Sequence, residues 1–150
     1  MWREMTEKDL TQRISGTELE TLRNILLADN QTDPVEDQIT LTTNYVRGFI
    51  AACKKNKLGP KGTLPEGLIL SAADICIVDL NTRAGGVLID DSKERSKAKA
   101  TAIDMLRNDV ATCKFTVEDP DTGILSPSSG GASLLKRNHP RFNRNNLTGL

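Results

Sequence analysis

The sequence has few of the side chains that usually carry out chemistry. It contains a single histidine, His139, in 150 residues, and only 3% of its residues are aromatic. The three cysteines, Cys53, Cys76 and Cys113, lack the spacing of metal ligands, so a zinc site is not expected. Their odd number and wide separation, within or beside helical stretches, instead indicate reduced thiols in a cytosolic protein.

Long hydrophobic runs are also missing. No stretch approaches the ~18 apolar residues of a membrane span, and the first four residues do not resemble the start of a signal peptide. Residues 59–63 place a lysine among glycines but follow no predicted strand, so an ordinary loop is favoured over a phosphate-binding loop. We therefore expect neither an enzyme nor a bound cofactor or metal.

Acidic residues are absent from the end of the chain. No Asp or Glu follows Asp121, although four basic residues do. Residues 1–121 consequently hold 16 basic and 20 acidic groups, a net charge of −4, within a chain whose overall net charge is zero. The basic end leaves open a contact with phosphates or with an acidic protein surface.

The apolar periodicity predicts an all-α fold: a small bundle of four to five helices with an extended C-terminal arm. We expect a helical domain over residues 1–113 and the arm over residues 114–150, with a possible short β piece near 114–118. The predicted helices cover residues 7–14, 17–26, 35–55, 66–80 and 92–112, with Thr17 as the predicted cap of the second. The fourth is apolar around most of its circumference, which predicts a central position in the bundle.

Two acids interrupt this apolar fourth helix. Asp74 and Asp79 are five residues apart, about 140° around a helix, so they do not share a face. A functional interpretation is a buried acid with a raised pKa. The favoured interpretation is structural: Asp79 pairs with Arg83, its i+4 neighbour, and Asp74 meets a basic side chain from another helix.

The arm combines basic and apolar residues. This pattern predicts a segment that docks on a partner, since apolar side chains can anchor it while basic ones contact phosphates or an acidic surface. The alternative is a solvated tail that has no partner. The predicted contact residues are Leu134, Leu135, Lys136, Arg137, Arg141, Phe142 and Arg144.

Several positions resemble a known family, the head-tail connector adaptors of tailed double-stranded DNA phages. The opening, with Thr6, Asp9, Leu10 and Ile14 ahead of Glu18-Leu19, resembles the family's "T…DL…RI…EL" pattern. Further matches are Val46, Phe49 and Ile50 before a Pro-bearing loop, Leu64-Pro65 with Ala72-Ala73-Asp74-Ile75 in the central helix, and the stretch from Arg95 to Leu106. The resemblance covers about residues 5–113.

The resemblance implies a structural virion protein without catalytic residues. It would form a ring, as a homo-oligomer of twelve subunits, beneath the portal protein in the phage neck, after assembly in the host cytoplasm. Such a ring extends the DNA channel and docks the stopper or tail-completion protein. Genomic DNA would pass through it without sequence-specific binding, and the arm would reach the portal.

A second hypothesis remains open, a small helical nucleic-acid-binding regulator with a basic C-terminal arm. The first two predicted helices form a possible helix pair for it. However, Arg13 and Arg23 stand among Glu18 and Glu20, so neither helix has a basic face.

Overall fold

The computed structural model describes residues 1–122, and within them it confirms the predicted helical bundle. A two-stranded antiparallel β piece accompanies five α-helices. The elements are β1 (Trp2–Glu4), α1 (Glu7–Leu10), α2 (Gly16–Leu26), α3 (Pro34–Ala52), β2 (Thr63–Pro65), α4 (Glu66–Arg83) and α5 (Ser92–Met105). A π-helical turn, Leu106–Val110, continues α5.

The first two helices begin at capping boxes. Asp9 accepts a hydrogen bond from the backbone N–H of Thr6 at 2.8 Å, which fixes the start of α1. Ser15, rather than the predicted Thr17, caps α2: its hydroxyl accepts from the N–H of Glu18 at 3.2 Å, and the Glu18 carboxylate accepts from the N–H of Ser15 at 3.0 Å. This reciprocal pair requires an acid three residues after the cap, and Ser15 satisfies that spacing.

Helix α4 lies at the centre of the bundle, as predicted. It packs against α1, α2, α3 and α5, and its buried side chains point in several directions rather than along one stripe. Its N-terminal turn follows Pro65, whose fixed φ suits the start of a helix. Buried positions in α4 are Leu68, Ile69, Ala72, Ala73, Ile75, Cys76, Ile77 and Leu80.

The two paired strands do not lie at residues 114–118, where Glu118 alone forms an isolated β-bridge. β1 pairs instead with β2, and Arg3 stands opposite Leu64 in the antiparallel register. Thr116 and Val117 are buried without forming a strand. The β1–β2 pairing joins segments about sixty residues apart, so only tertiary packing brings the two partners together.

The expectation of three reduced thiols is wrong for two of them. Cys53, directly after α3, forms a disulfide with Cys113, which lies three residues after the end of the π-helical turn. The two Cα atoms are 5.3 Å apart. The packing of α3 against the π-helical turn brings the two positions together across 60 residues of chain. Cys76 is free and buried in α4.

Candidate interaction surface

The predicted contact residues of the arm, from Leu134 to Arg144, lie outside the described residues. The described start of the arm packs on the helical domain. Val117 is 2% exposed, and its N–H donates to the side-chain oxygen of Asn56 at 3.3 Å. The indole N–H of Trp2 donates to the carbonyl of Glu118 at 2.7 Å. These contacts hold residues 116–118 against the domain.

The last described residues lie beside the C-terminal end of α3. The Lys57 ammonium is 3.0 Å from a carboxylate oxygen of Asp119 and 3.6 Å from one of Asp121. The pKa of Asp119 is lowered because the Asp121 N–H donates to its carboxylate and because Lys57 lies next to it. The chain therefore leaves the described domain close to Lys57.

One face of α3 carries no charge. We call it the α3 outer face and define it by five residues that share one side of the helix: Leu41, Tyr45, Gly48, Phe49 and Ala52. Leu41 is 58% exposed and Tyr45 is 45% exposed. The Tyr45 and Phe49 rings pack edge to face, with centroids 5.0 Å apart and planes at 88°. The result is an apolar strip about three turns long.

The one charged residue between positions 38 and 53 points away from this strip. Arg47 donates hydrogen bonds to the carbonyls of Gly59 at 3.0 Å, Pro60 at 2.9 Å and Thr63 at 2.6 Å. Its guanidinium carbon also lies 5.9 Å from the centroid of the Trp2 ring. Arg47 thus organises the loop before β2 and adds no charge to the α3 outer face.

The two acids of α4 have partners on other elements. Asp74 lies 3.3 Å from the guanidinium of Arg13, in the turn after α1, which is a partner of the predicted kind. Burial raises the pKa of Asp74, and the charge of Arg13 opposes that rise. Asp79 and Arg83 differ from the predicted pair: Asp79 binds Lys99 of α5 at 2.5 Å, and Arg83 donates to Gln38 of α3 at 2.9 Å.

A cleft of about 280 Å³ lies beside Asp74, between α4 and the start of α5. Its charged side chains are mostly paired with each other or with neighbours. Arg95 donates to Glu18 at 2.9 Å and thereby ties α5 to α2, although its Nη1 is buried without a hydrogen-bond partner. Among residues 1–122, no group of three or more His, Cys, Asp or Glu could hold a metal ion. Because basic and acidic side chains both line the cleft, its electrostatic potential is not dominated by either sign.

Arg23, one of the arginines of the predicted helix pair, is surrounded by acids. It forms ion pairs with Glu7, Glu20 and Asp33. Because the carboxylates neutralise its charge, and Asp74 does the same for Arg13, neither arginine offers a free cation to a phosphate. Sequence reasoning missed the pairs of Arg23 with Glu7 and Asp33, because only the fold brings these partners together.

Comparisons of the chain with protein-family profiles, with curated proteins and with solved structures find no match. Within the part of the chain that the structure describes, none of the helices is both long and apolar enough to cross a membrane. The described fold is a small helical bundle in which α3 has an uncharged outer face. Its functional class must therefore be argued from the residues of this chain.

Proposed function

We propose that this protein is a structural virion component, a head-tail connector adaptor that forms a ring beneath the portal of a tailed double-stranded DNA phage. One observation carries the proposal: most of the apolar positions that resemble the adaptor family are core positions of the fold. Leu10, Leu19, Ile50, Leu64 and Ile75 are each 2% exposed or less. A resemblance at positions that pack around α4 therefore concerns the fold as well as the residue identities.

The order and character of the elements support the same proposal. A short α1 and α2 precede the long α3, and the Leu64-Pro65 step leads directly into the buried α4. The Ala72-Ala73 pair is fully buried there. Small side chains at that point allow neighbouring elements to approach α4 closely, as a compact ring subunit requires.

The charge distribution suits a channel wall. Residues 1–121 carry a net charge of −4, whereas the only charges beyond Asp121 are basic. An acidic wall repels DNA phosphates, so a genome can pass without sticking to it. In this proposal the basic arm, through Lys136, Arg137, Arg141 and Arg144, contacts the portal or the stopper.

The decisive experiment is a truncation at a point that the structure selects. Residues 116–121 belong to the packed domain, so the arm should be removed after Thr122. We expect the protein without residues 123–150 to keep its helical circular dichroism and to be lost from portal-containing particles. A full-length Ile89→Ser variant is the matched control, because Ile89 is 79% exposed and lies far from the arm in sequence. Normal incorporation of the truncated protein would contradict the docking role.

Electron microscopy of the particles tests the ring directly. We expect twelve copies below the portal, in contact with it.

A titration of the purified protein with duplex DNA at two salt concentrations separates this proposal from the regulator. Tight binding with a steep salt dependence would favour the regulator, whereas the connector predicts weak binding.

A further inference from the structure

From the geometry of α3 we infer that, before the protein joins a partner, the arm of this chain, through residues 134–144, docks on the α3 outer face of the same molecule. The inference concerns a contact within one chain and does not depend on the connector role. It explains an apolar strip that no described element covers.

The first argument is the composition of the strip. Solvated helix faces usually carry charges, and the exposed side of α5 does so with Lys93, Glu94 and Lys97. The α3 outer face instead presents exposed Leu41 and Tyr45, with no charged residue on it. An uncharged strip with aromatic members is a typical site for an apolar anchor.

The second argument is the place where the described chain ends. Asp119 and Asp121 bind Lys57, just beyond the C-terminal end of α3, so the arm starts at one end of the strip. Helix α3 has 19 residues and is therefore about 28 Å long. The 11 residues between Thr122 and Leu134 separate their Cα atoms by up to ~40 Å, so the arm can reach every part of the strip.

The third argument is charge, which sets the direction of the arm. Exposed Lys54 and Lys55 follow the end of α3 nearest the exit, whereas the first turn of α3 carries exposed Glu36 and Asp37. Residues 122–150 of the arm contain no acids, and their four basic residues flank Phe142 or follow Leu135. Leu134, Leu135 and Phe142 can therefore occupy the strip while the basic residues reach toward the acidic end.

Tethering favours the molecule's own arm over that of another copy. A short linker gives the tethered segment an effective concentration in the millimolar range, far above the concentration of other copies in dilute solution. Docking within one chain should consequently be independent of protein concentration.

The sequence supplies its own reporter for this contact. Tyr45 is the only tyrosine, so its ring resonances can be assigned in the full chain by selective isotope labelling. For the test, a nitroxide is attached to the introduced cysteine of a Ser133→Cys variant, after the Cys53–Cys113 disulfide has formed. We expect strong broadening of the Tyr45 resonances that does not change on dilution. Replacing Leu134, Leu135 and Phe142 by serine should abolish the broadening, whereas the matched control, serine at Ile124 and Leu125, should retain it.

Three results would overturn the inference. The first is a Tyr45 signal that the nitroxide leaves sharp. The second is broadening that persists after the three anchors are replaced. The third is broadening seen when isotope-labelled, nitroxide-free protein is mixed with unlabelled, nitroxide-bearing protein, because that result assigns the strip to the arm of a second copy.

The direction of the arm has its own test: replacing the four basic residues by glutamine should weaken the broadening, and no change would refute the charge argument.

Discussion

The indole ring of Trp2 lies so close to Gly59 that a side chain at position 59 has no room. A Cβ built on Gly59 would stand 2.5 Å from one ring carbon of Trp2 and 2.6 Å from another. The same indole donates its N–H to the carbonyl of Glu118. One contact thus joins β1, the loop that Arg47 organises, and the start of the arm.

Gly59→Ala should therefore destabilise the protein. The Trp2 ring must move to accept the methyl group, which strains its hydrogen bond to Glu118, and overpacking of this kind costs about 1–3 kcal/mol. Urea unfolding followed by the fluorescence of Trp2, the only tryptophan, measures the effect. Gly48→Ala is the matched control, because nothing lies within 4 Å of its added Cβ and alanine is the better helix former. Equal stability of the two variants would contradict the steric argument.

Reduction of the Cys53–Cys113 disulfide should lower the free energy of unfolding. The bond closes a loop of 60 residues, for which the chain-entropy estimate is about 4 kcal/mol. We expect the double variant Cys53→Ser/Cys113→Ser to unfold at lower urea concentration than the oxidised protein. The reductant should have no further effect on that variant. Identical unfolding of wild-type protein with and without reductant would show that the bond contributes nothing.

Cys76 should be inert in the folded protein. Its thiol is fully buried in α4, and burial raises its pKa to about 12, so almost no thiolate exists at neutral pH. Iodoacetamide should label Cys76 only at the rate of unfolding. Rapid labelling of the native, oxidised protein at pH 8 would contradict this burial.

Asp9→Asn should destabilise the fold and reduce its sensitivity to acid. Arg3 donates to both carboxylate oxygens of Asp9, at 2.8 and 2.9 Å, and this lowers the pKa of Asp9. A lowered folded pKa gives stability that is present above the ordinary carboxyl pKa and is lost as pH falls through the folded value. We expect a loss of about 1.5–3 kcal/mol at pH 7 and a flatter dependence below about pH 4. Asp104→Asn, at an exposed position, should change the stability by less than about 0.5 kcal/mol.

Asp74→Asn should behave in the opposite way. Burial outweighs the attraction of Arg13 and raises the pKa of Asp74, so the folded state favours its protonated form. The stability contribution of such an acid falls as pH rises from the ordinary carboxyl pKa through the folded value. At pH 7 the amide should therefore leave stability unchanged or increase it, by up to about 1 kcal/mol. A clear loss of stability in urea at pH 7 would show that the pair with Arg13 outweighs the cost of burial.

The local features of the fold could be predicted because their causes are local. Leu64-Pro65 begins α4, and the long apolar run behind it predicts a central helix, which the structure confirms. The predicted cap of α2 lies two residues too late, because Thr17, like Ser15, is a residue type favoured at N-caps. The Glu18 carboxylate decides between them.

The pairings could not be predicted in the same way. Asp79 has Arg83 in the favourable i+4 position, yet the Lys99 ammonium of α5 donates to Asp79 instead. Arg83 donates its hydrogen bond to Gln38 of α3. Propensity and spacing describe one helix, whereas the partners of a half-buried charge depend on the side chains of the helices packed around it. The same reason explains why the Cys53–Cys113 disulfide was not foreseen.

The sequence by itself determined that the protein is a helical bundle around one apolar helix, and that its end is basic and free of acids. Both properties depend on the order of residues along the chain and need no knowledge of distant contacts. Only the tertiary structure decided that Trp2 closes on Gly59, that Cys53 meets Cys113, and that Arg47 turns inward. The uncharged face of α3 has two causes: Arg47 is the only charged residue between positions 38 and 53, and it lies on another side of the helix, where the loop before β2 holds it.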